Sequence, residues 1–270
     1  MTAPPLHTGL RTATFAIDWS AWDTCGRLVV TDPDVHALAL EVLSRELAVV
    51  GRAFRTRFAA RRAFRDGGWS PSMPDGPAPA PFPYGLASAS PDEPVHVELP
   101  SARCRAAGPR RRRLRIGLGP SLRAWTAQRC AEAVAEETLC GVLVAIGGDV
   151  ATSGLAPATG WRVRLPGGAD AAPAVLALDG GAVSWADLSM PGRTEPRELV
   201  VAPNGRTVRT HWRSVAVVAA TAPAASAACT GALVSGRAAV RRLNRQGLPA
   251  RLTDGDGRVR DVGWWPGSER

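Results

Sequence analysis

The sequence has 270 residues, of which 45% are hydrophobic, and a formal net charge of +9. A chain of this length and apolar content can bury a substantial core, so a globular protein is expected. It contains no run of 18 apolar residues, and it opens without a basic segment followed by an apolar one. We therefore expect no transmembrane segment, no secretory signal and a cytoplasmic location.

The positive charge does not predict a nucleic-acid partner. Apart from His, every basic side chain is Arg, and Ala, Pro and Gly are abundant, which is typical of GC-rich coding sequences. The longest basic block, 110–113, has no interleaved aromatic residues that could stack on bases. We expect this block to be a solvated loop.

The cysteines and histidines indicate neither a metal site nor a disulfide framework. The five cysteines are odd in number, widely spaced and without a Cys-x-x-Cys pair. The four histidines share no spacing and lie near no cluster of cysteines or acids. Reduced cysteines in a reducing compartment are therefore expected.

The first third of the chain predicts a strand pair, a helix and a long loop. Short apolar segments at 15–18 and 27–31 are strand candidates separated by a turn. Asp32 then precedes a Pro and a 3.6-residue apolar stripe, which predicts a helix capped by Asp32. The stretch 66–94 is rich in Pro, Gly and Ser and predicts a loop.

The centre of the chain predicts a helix followed by a strand and a glycine turn. Residues 121–137 have an amphipathic pattern, with an apolar stripe at Leu122, Trp125, Ala127, Cys130 and Val134. Residues 142–146 form an unbroken apolar run, which is typical of a strand buried on both faces. Gly147-Gly148-Asp149 follows at once, so this turn is either a ligand cradle or a tight turn with an exposed Asp.

The last part of the chain alternates strands and helices, which predicts an α+β fold. The strand candidates are 161–165, 174–178 and 213–220, the helix candidates are 226–233 and 237–246, and 251–264 is a hairpin candidate. Between them, 181–185 is polar and is expected to be a turn.

The ordered motifs resemble the ApbE family, the FAD:protein FMN transferases. Gly147-Gly148-Asp149 is followed by Ser153-Gly154 and Gly160-Trp161, as at the centre of that family. Further segments match it in order, at 22–31, 56–58, 181–184, 212–217, 225–236, 251–252 and 263–264. The resemblance implies a single domain over 1–270 with a T-fold-like α+β architecture of largely antiparallel sheets packed against helices.

The resemblance also implies a chemistry and a set of ligands. Members cleave FAD at its pyrophosphate and attach FMN through a phosphoester to Ser or Thr of an acceptor flavoprotein, using a divalent cation such as Mg²⁺. Carried over by position, the FAD-binding residues are Thr56, Arg123, Gly147, Gly148 and Asp149. The metal ligands would be the side chains of Ser226 and Thr230 and the carbonyl of Leu122, and no catalytic residue is assigned.

This chain departs from the family pattern at several of these positions. Ser226 stands where the family has a metal-binding Asp, Arg123 where it has Lys, and Gln128 where it has an Asp on the helix. A neutral hydroxyl is a weaker Mg²⁺ ligand than a carboxylate. Two hypotheses follow, a flavin transferase and a non-catalytic relative that binds flavin or a protein partner.

Overall fold

The computed structural model places the sequence motifs in a mixed α+β fold. It describes residues 14–21, 24–66, 96–98, 120–165, 174–188, 200–201, 207–208 and 210–265. The loop predicted over 66–94 lies outside the described residues, apart from Asp66, which ends a helix.

Helices and strands follow the order expected from the sequence over most of the described chain. The helices are α1 (His36–Asp66), α2 (Pro120–Thr138), α3 (Ala222–Ser235) and α4 (Ala239–Gln246). The first strands are β1 (Phe15–Ala21), β2 (Thr24–Val30), β3 (His96–Glu98), β4 (Val142–Ile146), β5 (Asp149–Ser153), β6 (Trp161–Leu165) and β7 (Ala174–Leu178). The others are β8 (Ala182–Asp187), β9 (Val200–Val201), β10 (Thr207–Val208), β11 (Trp212–Ala219), β12 (Ala250–Asp254) and β13 (Val259–Val262).

Eight of the described strands form one sheet, in the order β1-β2-β4-β5-β8-β11-β12-β13. Every neighbouring pair in this sheet is antiparallel. A smaller sheet of β3, β6 and β7 contains one parallel pair, β3 with β6. The prediction of an α+β fold with largely antiparallel sheets is confirmed.

The large sheet is packed between the helices and the smaller sheet, which explains why β4 is apolar throughout. Val142, Val144 and Ile146 point into a core shared with α1 and α2. Leu143 and Ala145 point to the opposite face, where they pack with residues of β6 and β7. All five are at most 1% exposed. The prediction of a central strand buried on both faces is confirmed.

The turn after β4 requires its glycines for two different reasons. Gly147 has φ +61°, a conformation that other residues rarely adopt. A Cβ at Gly148 would lie 2.0 Å from the carbonyl oxygen of Trp185, so any side chain would clash with β8. The Gly148 carbonyl accepts a hydrogen bond of 2.8 Å from the Trp185 amide. Gly148 is therefore required because its backbone lies very close to the backbone of β8 at Trp185.

Three sequence expectations are wrong in detail. The segment 181–185 is a turn only at its start, because β8 begins at Ala182, and Val183 and Ser184, which point to opposite faces of the sheet, are both buried. Trp125 is 45% exposed, with the Arg129 guanidinium 5.6 Å from its ring centre, so it does not belong to the buried stripe of α2. Cys25 is disulfide-bonded, whereas reduced cysteines were expected.

The described helices include none that is both long enough and apolar enough to cross a bilayer. The helices instead bury one face each on the large sheet. In α2 this face is formed by small side chains, Ala124, Ala127, Cys130, Ala131 and Val134, each essentially inaccessible to solvent. Small residues allow α2 to lie close to the sheet and bring its first turn near the glycine turn.

Candidate functional site

Asp149 is the buried centre of the site. It is the first residue of β5 and is 2% exposed, so the alternative of a turn with an exposed Asp is wrong. Its cross-strand partner on β8 is Ser184, whose Oγ donates a hydrogen bond of 2.7 Å to Asp149 Oδ1. The antiparallel register of β5 and β8 thus places a hydroxyl directly opposite the carboxyl.

Two helices bring further polar groups to this carboxyl. Arg123, in the first turn of α2, lies with Nε 3.4 Å from Asp149 Oδ2. Ser226, in α3, contributes a side-chain hydrogen bond to Asp149 from the other helix. Asp149 is therefore held by groups from a neighbouring strand and from two different helices.

The protonation of Asp149 is governed by burial. Removal from water raises the pKa of the Asp149 carboxyl above its ordinary value, while hydrogen bonds from Ser184 and Ser226 and the charge of Arg123 act in the opposite direction. A buried carboxylate requires partners of this kind, because an isolated buried charge is strongly unfavourable. The cluster supplies both a cation and two hydroxyl donors.

The glycine turn and Arg123 form the solvent-facing edge of this cluster. A Cβ at Gly147 would lie 3.3 Å from Arg123 Nε and 3.1 Å from Thr24 Oγ1, so Gly147 leaves room for both side chains. The Gly147 amide donates to the Cys25 carbonyl, which ties the turn to β2. Arg123 remains 28% exposed, whereas Asp149 is enclosed. A ligand reaching this edge would meet the guanidinium and not the carboxylate.

A cysteine lies beside the cluster but is not reactive. Cys229 is 2% exposed, and its thiol lies 3.4 Å from the Val215 carbonyl oxygen that accepts its hydrogen bond. Burial, with the negative charge of Asp149, raises the pKa of Cys229 to about 12. The thiol is therefore neutral near pH 7 and provides no nucleophile.

The residues expected to hold a cation do not form a set that fits Mg²⁺. Ser226 is 2% exposed and bonded to Asp149, while Thr230, one turn further along α3, is exposed. The Leu122 carbonyl accepts a hydrogen bond of 2.7 Å from Thr126 Oγ1. Mg²⁺ needs several hard oxygen ligands in a near-octahedral arrangement and usually keeps bound waters. No cluster of three or more His, Cys, Asp or Glu occurs among the described residues.

The structure brings together some of the predicted residues and separates others. Arg123, Gly147, Gly148, Asp149 and Ser226 meet at one place, where α2 and α3 cross the end of the β4–β5 hairpin. Thr56 lies in the second half of α1, and its side chain is outside the described part of the chain.

Sequence reasoning missed Ser184 and did not reveal the contact that Gln128 makes. Ser184 could have been found from its position in β8, two residues after a buried Ala and between Val183 and Trp185, which is a strand-like alternation. Gln128 stands where the family has an Asp, and its Oε1 accepts a hydrogen bond of 2.9 Å from the Ala222 amide. This bond links α2 to the first residue of α3 and complements the Thr221 cap.

A basic depression elsewhere on the surface is separate from this site. It has a volume of about 350 Å³ and lies at the junction of α3 and α4. It is lined by Ser235, Ala238, Arg241, Arg242, Arg245 and Gln246. None of the predicted site residues lines it.

Comparison with known proteins identifies the family. A sequence model of the ApbE family matches residues 85–252, which is more than half of the chain. The chain belongs to the ApbE family. No curated protein matches the sequence significantly.

A solved structure of similar fold covers nearly the whole chain. The flavin transferase ApbE from Vibrio cholerae has a TM-score of 0.59 at 14% identity, covering 93% of this chain and 97% of that one. The ApbE protein from Thermotoga maritima gives a TM-score of 0.47 at 19% identity, covering 55% of this chain and 51% of that one. The flavinyl transferase ApbE from Pseudomonas stutzeri, in its apo form, gives 0.45 at 18% identity, covering 55% and 48%. In the latter two comparisons the match spans about half of the other chain.

Proposed function

We propose that this chain is a flavin transferase that binds FAD at the edge formed by Gly147 and Arg123 and passes FMN to a Ser or Thr of an acceptor flavoprotein. The observation that carries the proposal is the Arg123–Asp149 pair. The guanidinium of Arg123 is partly exposed, is held by the buried Asp149 carboxyl and lies beside the turn at Gly147, in a chain of the ApbE family.

The chemistry of the proposed reaction requires stabilisation of phosphate charge. The acceptor hydroxyl oxygen forms a bond to the phosphorus of the FMN half, the bond from that phosphorus to the bridging oxygen breaks, and AMP leaves. The hydroxyl proton passes to the leaving phosphate or to water. Phosphoryl transfer depends on positioning and on groups that neutralise developing negative charge. Arg123 is suited to this role because a guanidinium pairs well with phosphate oxygens.

Asp149 is a positioning residue in this proposal. It is too enclosed to contact FAD directly, and its carboxyl faces Arg123, Ser184 and Ser226. By holding Nε of Arg123, it orients the guanidinium towards the glycine turn. The donors that the described residues offer do not fit the Mg²⁺ that the family implies, so no step of the proposal passes through a metal.

A non-catalytic flavin-binding relative is the second candidate. It is favoured by Ser226, where a family metal ligand is replaced by a buried hydroxyl already bonded to Asp149. Such a protein would bind FAD at the same edge without cleaving it.

Two measurements on the purified full chain test the proposal. The first is titration with FAD, followed by the change in flavin fluorescence. The second is chromatography of FAD incubated with catalytic amounts of the protein, with Mg²⁺ and with EDTA, to detect FMN and AMP. With no acceptor protein present, water can take the place of the acceptor hydroxyl, so a catalytically competent chain binds FAD and hydrolyses it to FMN and AMP. Binding without products supports the non-catalytic candidate, and the absence of binding in both buffers contradicts both candidates.

The Arg123→Gln variant links either activity to the proposed site. FAD affinity should fall at least tenfold in this variant, because a charge-assisted contact to phosphate is lost. An unchanged affinity would mean that FAD binds elsewhere on the chain.

A further inference from the structure

We propose that the Arg123 guanidinium, positioned by Asp149, takes the place of a divalent cation, so that this chain binds the pyrophosphate of FAD without metal. The inference rests on the proposed function, since it concerns how the same site would hold its ligand. It starts from the disagreement between the donors found here and the Mg²⁺ that the family implies.

Among the described residues, the groups around Ser226 offer a metal ion only one anionic ligand. A metal bound there would need the Asp149 carboxyl as its anionic ligand, because Ser226 is neutral and no acid cluster surrounds it among the described residues. Asp149 is already engaged by Ser184 at 2.7 Å and faces Arg123 at 3.4 Å. At 2% exposure it also has no room for the waters that Mg²⁺ retains.

The positive charge of Arg123 opposes a metal ion at the Asp149 carboxyl. A divalent ion ligated by Asp149 would lie within a few ångströms of the Arg123 guanidinium, and two like charges at that distance repel. The Arg123 cation and a metal cation are therefore alternatives at this carboxyl. The chain contains the arginine, fixed by the first turn of α2, and lacks the carboxylate that family members have at the position of Ser226.

Arg123 itself is suited to contact phosphate oxygens. It approaches Asp149 through Nε and runs across Gly147, whose missing side chain gives the guanidinium its place at the edge of the cluster. A guanidinium keeps its charge at all relevant pH values and can bridge two phosphate oxygens. It carries one positive charge where Mg²⁺ carries two, so binding should be independent of metal and sensitive to ionic strength.

The test is the FAD dissociation constant of the full chain, measured by flavin fluorescence in EDTA and in millimolar Mg²⁺. We expect values within twofold of each other for the wild type. Arg123→Gln should weaken binding at least tenfold in both buffers, and Arg123→Lys, which keeps the charge, should weaken it less. Inorganic pyrophosphate should compete with FAD in EDTA for the wild type.

Arg241→Gln is the matched control, because Arg241 lines the separate basic depression. Its affinity for FAD should equal that of the wild type, and a loss equal to that of Arg123→Gln would overturn the assignment to Arg123. A wild type that binds FAD at least tenfold more tightly in Mg²⁺ than in EDTA would overturn metal-independent binding and leave the proposed function intact. A wild type that binds FAD in neither buffer would overturn both. Circular dichroism melting of each variant separates loss of binding from loss of folding.

Discussion

Ser184 and Asp149 face each other across β8 and β5, and the Ser184 hydroxyl donates a 2.7 Å hydrogen bond to the buried carboxyl. We predict that Ser184→Ala destabilises the fold by about 1–3 kcal/mol, because a buried acceptor loses a donor that water cannot replace. Urea unfolding measures this cost. A double-mutant cycle with Asp149→Asn should give a coupling energy of at least about 0.5 kcal/mol, whereas additive effects would mean that the two side chains act independently.

The raised pKa of Asp149 predicts a pH-dependent effect of Asp149→Asn. In the unfolded chain this carboxyl ionises near pH 4, whereas burial raises its pKa in the folded protein. The free energy of unfolding of the wild type therefore loses a contribution as the pH rises from about 4 through the folded-state pKa. The Asn variant lacks this loss, so its stability relative to the wild type should increase over that window and then level off.

Urea unfolding of both proteins at a series of pH values from 4 to 8 measures this difference. Titrations that the two proteins share cancel in the comparison. A stability difference that stays constant or decreases with rising pH would contradict the prediction.

Two glycines, Gly148 and Gly180, should respond differently to substitution by Ala. A Cβ at Gly148 would meet the Trp185 carbonyl oxygen at 2.0 Å, whereas a Cβ at Gly180 would have nothing within 4 Å. We predict that Gly148→Ala costs at least about 2 kcal/mol, since β5 and β8 must move apart. Gly180→Ala should change stability by less than about 1 kcal/mol. Thermal unfolding compares them, and equal effects would mean that the close approach of Gly148 does not constrain the sheet.

Ser226→Asp should create a metal response that the wild type lacks. It adds a second carboxylate beside Asp149, which should lower the melting temperature in EDTA because two buried negative charges repel. Mg²⁺ should then raise the melting temperature of this variant by several degrees, since 1 kcal/mol corresponds to about 2–4 °C at this size. The neutral Ser226→Asn variant controls for side-chain volume.

Calorimetry of Mg²⁺ binding, with and without FAD, complements the melting curves. If Mg²⁺ stabilises the wild type as strongly as Ser226→Asp, the wild type already has a metal site. If Mg²⁺ stabilises neither protein, a carboxylate at position 226 does not bind a metal ion.

The sequence predicted the strands and helices whose periodicity is unambiguous. The apolar run at 142–146 forms a buried strand as predicted, and Asp32 caps a short 3-10 helix at Pro33–Val35 that leads directly into α1. Both features depend on local composition. The segment 181–185 was misjudged because its Gly and Ser residues resemble a turn. Its strand character comes from pairing with β5 and β11, which are distant in sequence.

The site was only partly predictable for a related reason. A motif such as Gly147-Gly148-Asp149 identifies candidate residues, but it does not reveal which of them is enclosed. Asp149 is covered by α2 and α3, whose positions depend on packing over the whole sheet. Trp125 shows the same limit. The helical periodicity of 121–137 places it on the apolar stripe, but the sequence does not show whether a neighbouring helix or strand covers that position, and Trp125 is 45% exposed.

Because α2 and α3 pack closely through small residues, the buried thiols on these helices can be used to detect helix movement. Cys130 on α2 and Cys229 on α3 are free, at most 2% exposed, and have pKa values raised to about 12 by burial. A thiol reagent can modify them only after a helix moves away from the sheet and water reaches the sulfur. Their labelling rates in the native protein would therefore measure how often each wall of the Arg123–Asp149 cluster opens, and a ligand that bridges the two helices would slow both.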